Sequence, residues 1–367
     1  MRRSMYCFAP SEEQKMLQEA ARRFAARELR EAARPSDERG LLPEGLTQAA
    51  WELGLLPGSI PEQYGGFGER SCVAGALAAE ELAWGDLSGA LSATAPNLVA
   101  LPVATSGTEE QKHRLLPRFC SDSFVPGSAA LMEPRHDFDP RALRTSAARG
   151  NGGYVLAGRK CHVPYAAEAE QMIVYAALDG ATEAFLVRRD SPGLTVLERE
   201  RNMGMNAYPL YTVELRDCAV AGDDRLGGEA GCDFEALEAA SRVALAAMAV
   251  GVARGAYEYA LEYAKHRKAF GEAIAQRQSI AFMLAEMATD LEAARMMVWE
   301  AAWVLDQRRG GAREAYLAKN FADDMALMVA DRAVQILGGH GYIRDYPVEM
   351  WLRNARGFAV MEGIAIV

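Results

Sequence analysis

YVLAG (154–158), QMIVYAAL (171–178), EAFLVRR (183–189) and YTVELRD (211–217) are short runs of Val, Ile, Leu, Phe and Tyr, separated by Gly, Pro, Asp and Asn. Strand-prone runs at this spacing predict a small β region over 150–230. The flanks read differently. From Ser11 to about Val125 the chain is rich in Ala, Leu and Arg. Ser11 with Gln14 forms a capping-box pattern, and breaks fall at Pro57–Gly66 and Pro96–Pro102. Beyond Gly231 the segments are longer. Ile280, Leu284, Met287, Leu291, Val298 and Leu305 keep the 3–4 spacing of an amphipathic helix. Gly310–Gly311 ends that helix, and the next one stops at Gly338–Gly339. The fold class is therefore mainly α with a central β domain: an N-terminal helical domain (1–125), a middle β-barrel or sandwich (126–231) and a C-terminal helical bundle (232–367).

A length of 367 residues exceeds one compact domain, and 50% hydrophobic with 25% charged residues is ordinary globular composition. Forty basic residues against 50 acidic give a net charge of −10, which argues against nucleic acid or an anionic membrane as the main partner. Cys7, Cys72, Cys120, Cys161, Cys218 and Cys232 form no C-x-x-C pair and accompany no His cluster. They read as reduced thiols, with no metal site expected. No apolar run approaches the ~18 residues of a membrane span, and the first residues lack a signal-peptide core. The expectation is a cytoplasmic protein. The one dense glycine string, GGHG (338–341), follows a helix and not a strand, so a Rossmann site is not supported.

Four segments resemble the flavin-dependent acyl-CoA dehydrogenases. They are LGLLPGSIPEQYGG (53–66), LMEPRHDFD (131–139), RKAFGEAIAQRQ (267–278), and QILGGHGYIRDYPVE (335–349) followed by RNAR (353–356) and MEG (361–363). The likeness is collinear from about residue 11 onward. It implies FAD as cofactor, an acyl-CoA thioester as substrate and α,β-dehydrogenation as reaction. Such a desaturation removes an α-proton to a base and a β-hydride to flavin N5. The chain must then supply the base, donors for the thioester oxygen and a dry slot.

By this resemblance Glu362 is the base, lying within the apolar string FAVMEGIAIV (358–367). One branch of the family carries its base immediately before the arginine matching Arg242. Ser241 stands there, which leaves Glu238, about one turn earlier, as a weaker candidate. Arg242, opening a long helix, would lie near the thioester with Phe138 and Gly363. Arg267, Phe270 and Gln278 would contact the adenine dinucleotide half of FAD. Gln335, Gly338 and Gly339 would approach the same half from a neighbouring subunit, which implies a dimer or tetramer. An electron-transfer flavoprotein is the acceptor the resemblance implies.

The departures from the family fall at the flavin. In KCHVPYA (160–166), His162 replaces a shielding Trp, and Pro164 replaces a Thr that bonds the flavin edge. Met132 replaces another Thr or Ser, Ile364 the Thr after E-G, and Met350 an Arg or Lys. Proline offers neither N–H nor hydroxyl, so polar flavin contacts give way to apolar ones. Two alternatives accompany the dehydrogenase reading: an inactive partner subunit of a mixed oligomer with an active sister chain, and a flavin oxidase or monooxygenase opened to oxygen by His162.

Overall fold

The computed structural model describes residues 9–150 and 152–367; Cys7 and the first residues of the N-terminus lie outside them. Helices come first, from Glu12–Phe24 to Glu109–Leu115, and the Ser11–Gln14 capping box is formed in both directions. The strands follow, and then the long helices Phe234–His266, Gln278–Asp306 and Ala312–Leu337 with the shorter Val348–Phe358. Architecture and element order are those expected.

The predicted strands appear as Gly153–Pro164, Gln171–Leu178, Ala181–Arg188 and Leu210–Ala221. Ser128–Ala130, Ser146–Gly150 and Leu194–Arg199 complete a seven-stranded sheet. Gly153–Pro164 pairs antiparallel with Leu210–Ala221, and Gln171–Leu178 with Ala181–Arg188. Ser128–Ala130 adds in parallel beside Gln171–Leu178, which fixes where residues 131–133 leave the sheet. The pairing of Gly153–Pro164 slips between Lys160 and Val163. His162 sits in that irregularity at φ 50°, and such bulges re-aim side chains at strand ends.

Phe234–His266 is the central helix, buried along most of its length. It corrects one expectation, because an 18-residue window of it is apolar enough for a membrane span. That window is 89% buried inside the protein, so the apolarity serves packing. The packing is close: a Cβ on Gly251 would lie 2.3 Å from the Glu80 carbonyl of helix Cys72–Gly85. A buried ion network locks the same contact. Arg254 pairs with Glu80 (2.9 Å) and Glu81 (2.5 Å), and Arg295 with Glu80 (2.9 Å). Pro102 also departs from expectation, lying inside helix Asn97–Ser106 and not ending it.

Candidate active site

Three segments meet at the C-terminal end of the chain: the loop after Ser128–Ala130, the end of strand Gly153–Pro164, and residues 359–367. The Cys161 amide donates to the Met132 carbonyl (2.9 Å), and the Glu362 amide to Met132 Sδ (3.3 Å). Tyr208 Oη donates to the Ile364 carbonyl (3.3 Å), and Asn97 Nδ2 to that of Ile366 (3.1 Å). Met132, Glu362 and the strand end that carries His162 thus belong to one region; Pro164 lies further along that strand, paired with Leu210. Gly363 takes φ 71°, where a Cβ would fall 2.6 Å from Leu131 Cδ2, so the turn after Glu362 needs glycine.

The loop is held from beneath by a pair the sequence analysis missed. Lys160 is fully buried and donates to the Leu131 carbonyl (2.9 Å) and Glu133 Oε1 (3.3 Å). Glu133 also accepts the amides of Arg144 (2.9 Å) and Thr145 (2.7 Å). Burial lowers Lys160 to about 8, against the opposing pull of Glu133. Burial alone would raise the Glu133 carboxyl; the two amides and Lys160 hold it below the ordinary carboxylate range. A lysine four residues before Pro164 carries no periodic signal that would mark it as buried.

Glu362 does not lie in purely apolar surroundings. Its side chain is 23% exposed and faces Arg242 Nε at 3.7 Å. Arg242 is not at the helix start either; it lies eight residues in, one turn after Glu238, with which it pairs at 2.9 Å. Glu238, 2% exposed at its side chain, also receives Arg141 Nε (3.1 Å) and Nη2 (2.8 Å). Arg141, Glu238, Arg242 and Glu362 therefore form an alternating run of charges. The alternative base is held between two arginines, whereas Glu362 has one cation at longer range. Behind Glu362, Lys319 Nζ donates to the Phe358 carbonyl (2.8 Å) and Asp323 Oδ2 (2.7 Å). Burial raises Asp323 to about 6, Lys319 opposes the shift, and the negative charge of Glu362 adds to it.

His162 does not stand open. Its amide donates to Glu200 Oε1 (3.0 Å) and its Nδ1 pairs with Glu200 Oε2. Burial would raise Glu200, but the bonds from His162 and Thr212 hold it below the ordinary range. Pro164 offers neither N–H nor hydroxyl, and the Met132 side chain offers no donor. Phe138 is half-buried against the core, with the Arg135 guanidinium 5.9 Å from its ring.

The second group of residues lies around a pocket of about 290 Å³ lined by Tyr263, Arg267, Ile274, Ile336, Leu337, Gly339 and His340. Arg267 and Gly339 are brought together there; Phe270, Gln278, Gln335 and Gly338 are exposed outside it. Arg267 is exposed and forms no ion pair among the described residues. A Cβ on Gly271, Gly338 or Gly339 would meet nothing within 4 Å, so backbone is open to a ligand. Phe270 and Gly271 form the tip of a hairpin with φ 55° and 90°, and Phe270 is 97% exposed. A free cation beside open glycine backbone fits a pyrophosphate; His340, stacked on Tyr346 (4.7 Å) and edge-on to Tyr263, closes the pocket beside it.

This architecture of helices, sheet and bundle pairs a partly accessible carboxylate with an open pocket beside a cation. Family models for the acyl-CoA dehydrogenase N-terminal, middle and C-terminal domains match residues 11–123, 128–218 and 236–365. The chain is 37% identical over 363 residues to an acyl-CoA dehydrogenase of Bacillus subtilis, covering 96% of this chain and 95% of the relative. It superposes on butyryl-CoA dehydrogenase from Megasphaera elsdenii with a TM-score of 0.88, at 31% identity, covering 98% and 96% of the two chains. It also resembles the prolyl acyl carrier protein oxidase AnaB, with a TM-score of 0.86 at 28% identity and 95% of each chain covered. The chain belongs to the acyl-CoA dehydrogenase family and is an FAD-binding oxidoreductase that acts on acyl-CoA.

Proposed function

We propose that the chain catalyses α,β-dehydrogenation of an acyl-CoA thioester with Glu362 as the α-proton base. The observation that carries this reading is the Glu362 segment itself. Its carboxylate is partly accessible and held near Arg242, while its own amide is spent only on the sulfur of Met132, a weak acceptor. A thioester oxygen would outcompete sulfur for that N–H, so one residue can polarise the carbonyl and take the neighbouring proton. FAD, when bound, supplies the hydride acceptor. Arg242 orients the carboxylate, Gly363 allows the turn, and Lys319 anchors the segment from behind through the Phe358 carbonyl.

The dinucleotide half of FAD falls to Arg267 and the Gly338–Gly339 backbone, with Phe270, Gln278 and Gln335 at a contact between copies of the chain. The exposed Phe270, at a positive φ with the Arg277 guanidinium 5.7 Å from its ring, supports that assembly, a dimer or tetramer. Domains 1–125, 126–231 and 232–367, a cytoplasmic setting and an electron-transfer flavoprotein as acceptor complete the reading. The oxidase alternative is favoured by the likeness to the prolyl acyl carrier protein oxidase AnaB and not by His162, which Glu200 ties down. Anaerobic addition of acyl-CoA to the yellow holoprotein separates the readings. Bleaching without oxygen uptake in air supports the dehydrogenase, bleaching with uptake the oxidase, and no bleaching the inactive partner.

A further inference from the structure

Beside Glu362 lies a small cavity of about 20 Å³, room for roughly one water-sized group. Gly363, next in the chain to the base, lines it, and Leu98, Pro102, Tyr175, Phe234 and Leu237 are its apolar walls. Leu98 and Pro102 lie four residues apart on helix Asn97–Ser106 and so project from one face of it. Tyr175, on strand Gln171–Leu178, meets Phe234 edge-on with ring centroids 5.5 Å apart. Leu98, Pro102, Tyr175 and Leu237 are all buried, so none of them can swing out into solvent to enlarge the space. The other walls are tied down as well. Glu238 lines the cavity with its two oxygens facing Arg141 (2.8 Å) and Arg242 (2.9 Å), and moving it would break a buried charge pair. Ile366 is held through its carbonyl by Asn97 Nδ2 at 3.1 Å.

We infer that this cavity closes the acyl site and limits the substrate to a short acyl chain, with Leu98, Pro102, Tyr175 and Leu237 setting the limit. The thioester carbon, the α-carbon and the β-carbon must lie at the base and the flavin. Room for one further group admits a fourth carbon, and each methylene beyond it has to displace packed core. An acyl group of about three or four carbons therefore fits, and a longer alkyl chain does not. The inference rests on the dehydrogenase reading above and adds the length of the substrate to it.

The test measures anaerobic flavin bleaching of the holoprotein by propionyl-, butyryl-, hexanoyl- and octanoyl-CoA, expressed as kcat/KM. Propionyl- or butyryl-CoA should lead, hexanoyl-CoA should be slower than the leader by about tenfold or more, and octanoyl-CoA should be no faster than hexanoyl-CoA. Leu237→Ala opens one wall and should raise the hexanoyl-to-butyryl ratio by about tenfold or more. Leu98→Val removes a single methylene, disturbs the core less, and should raise the same ratio by roughly threefold or more. Hexanoyl- or octanoyl-CoA coming within about tenfold of the leader in the parent overturns the inference alone. So does an unchanged ratio in every variant that folds. No bleaching by any of the four overturns the dehydrogenase reading and this inference with it.

Discussion

At the reacting end, charges alternate from Arg141 through Glu238 and Arg242 to Glu362, and a buried Lys319–Asp323 pair holds the segment from behind. At the dinucleotide end, Arg267 has no ion pair among the described residues, three glycines face open space, and Phe270 projects into water. The first region is largely organised by the chain's own contacts; the second presents an unpaired cation, open backbone and an exposed ring to its surroundings. The contrast teaches where each kind of evidence lies. A catalytic carboxylate must be oriented before substrate arrives, so its supports are visible within one chain. If the second region is the proposed contact between copies, one copy shows only half of its partners.

Breaking the brace should have the largest effect. Lys319→Met removes the cation from buried Asp323 and the donor from the Phe358 carbonyl, a loss in the range of about 3–5 kcal/mol for a broken buried pair. Urea denaturation of the holoprotein should show a lower midpoint, and an unchanged midpoint would mean that the brace carries no stability. At the open end the expected effect is smaller and of another kind. Arg267→Ala should weaken FAD retention by roughly 10–100-fold, the worth of one charge-assisted hydrogen bond, while the apoprotein denatures at the parent's midpoint. Full flavin after gel filtration would remove Arg267 from the site.

The smallest effect is the pH dependence of the brace. Burial pushes Asp323 up to about 6 in the folded chain, against ~3.9 for a free Asp, so the folded state holds that proton more tightly. The stability this gives is fully present below about pH 4 and lost as pH rises to about 6. Relative to the parent, Asp323→Asn should therefore gain stability across that interval, by about 1–3 kcal/mol, and change little above pH 7. A relative stability flat with pH would place the Asp323 titration elsewhere.

The sequence made the architecture legible because period and punctuation coincide: four strand runs and the long helices lie where the patterns put them. Leu194–Arg199 was not read, since LTVLER mixes charged with apolar residues, and Ser128–Ala130 is too short to carry a period. Glu362, Arg242 and Gly363 were legible through motifs. Lys160 with Glu133, Lys319 with Asp323, and Arg254 with Glu80 and Glu81 were not, because buried ion pairs join residues remote in sequence or indistinguishable there from solvated surface charges. The apolar setting expected of Glu362 came from its chain neighbours alone; its nearest charged partner, Arg242, lies 120 positions away.

The most direct test of the central claim is the rate of anaerobic flavin reduction by an acyl-CoA in Glu362→Gln, compared with the parent. Glutamine keeps the shape of the side chain and the backbone N–H but cannot take the α-proton. Folding and FAD content should match the parent, while reduction should slow at least ~100-fold, as for loss of a general base. A variant that reduces its flavin as fast as the parent would contradict the account and move the search for the base to Glu238.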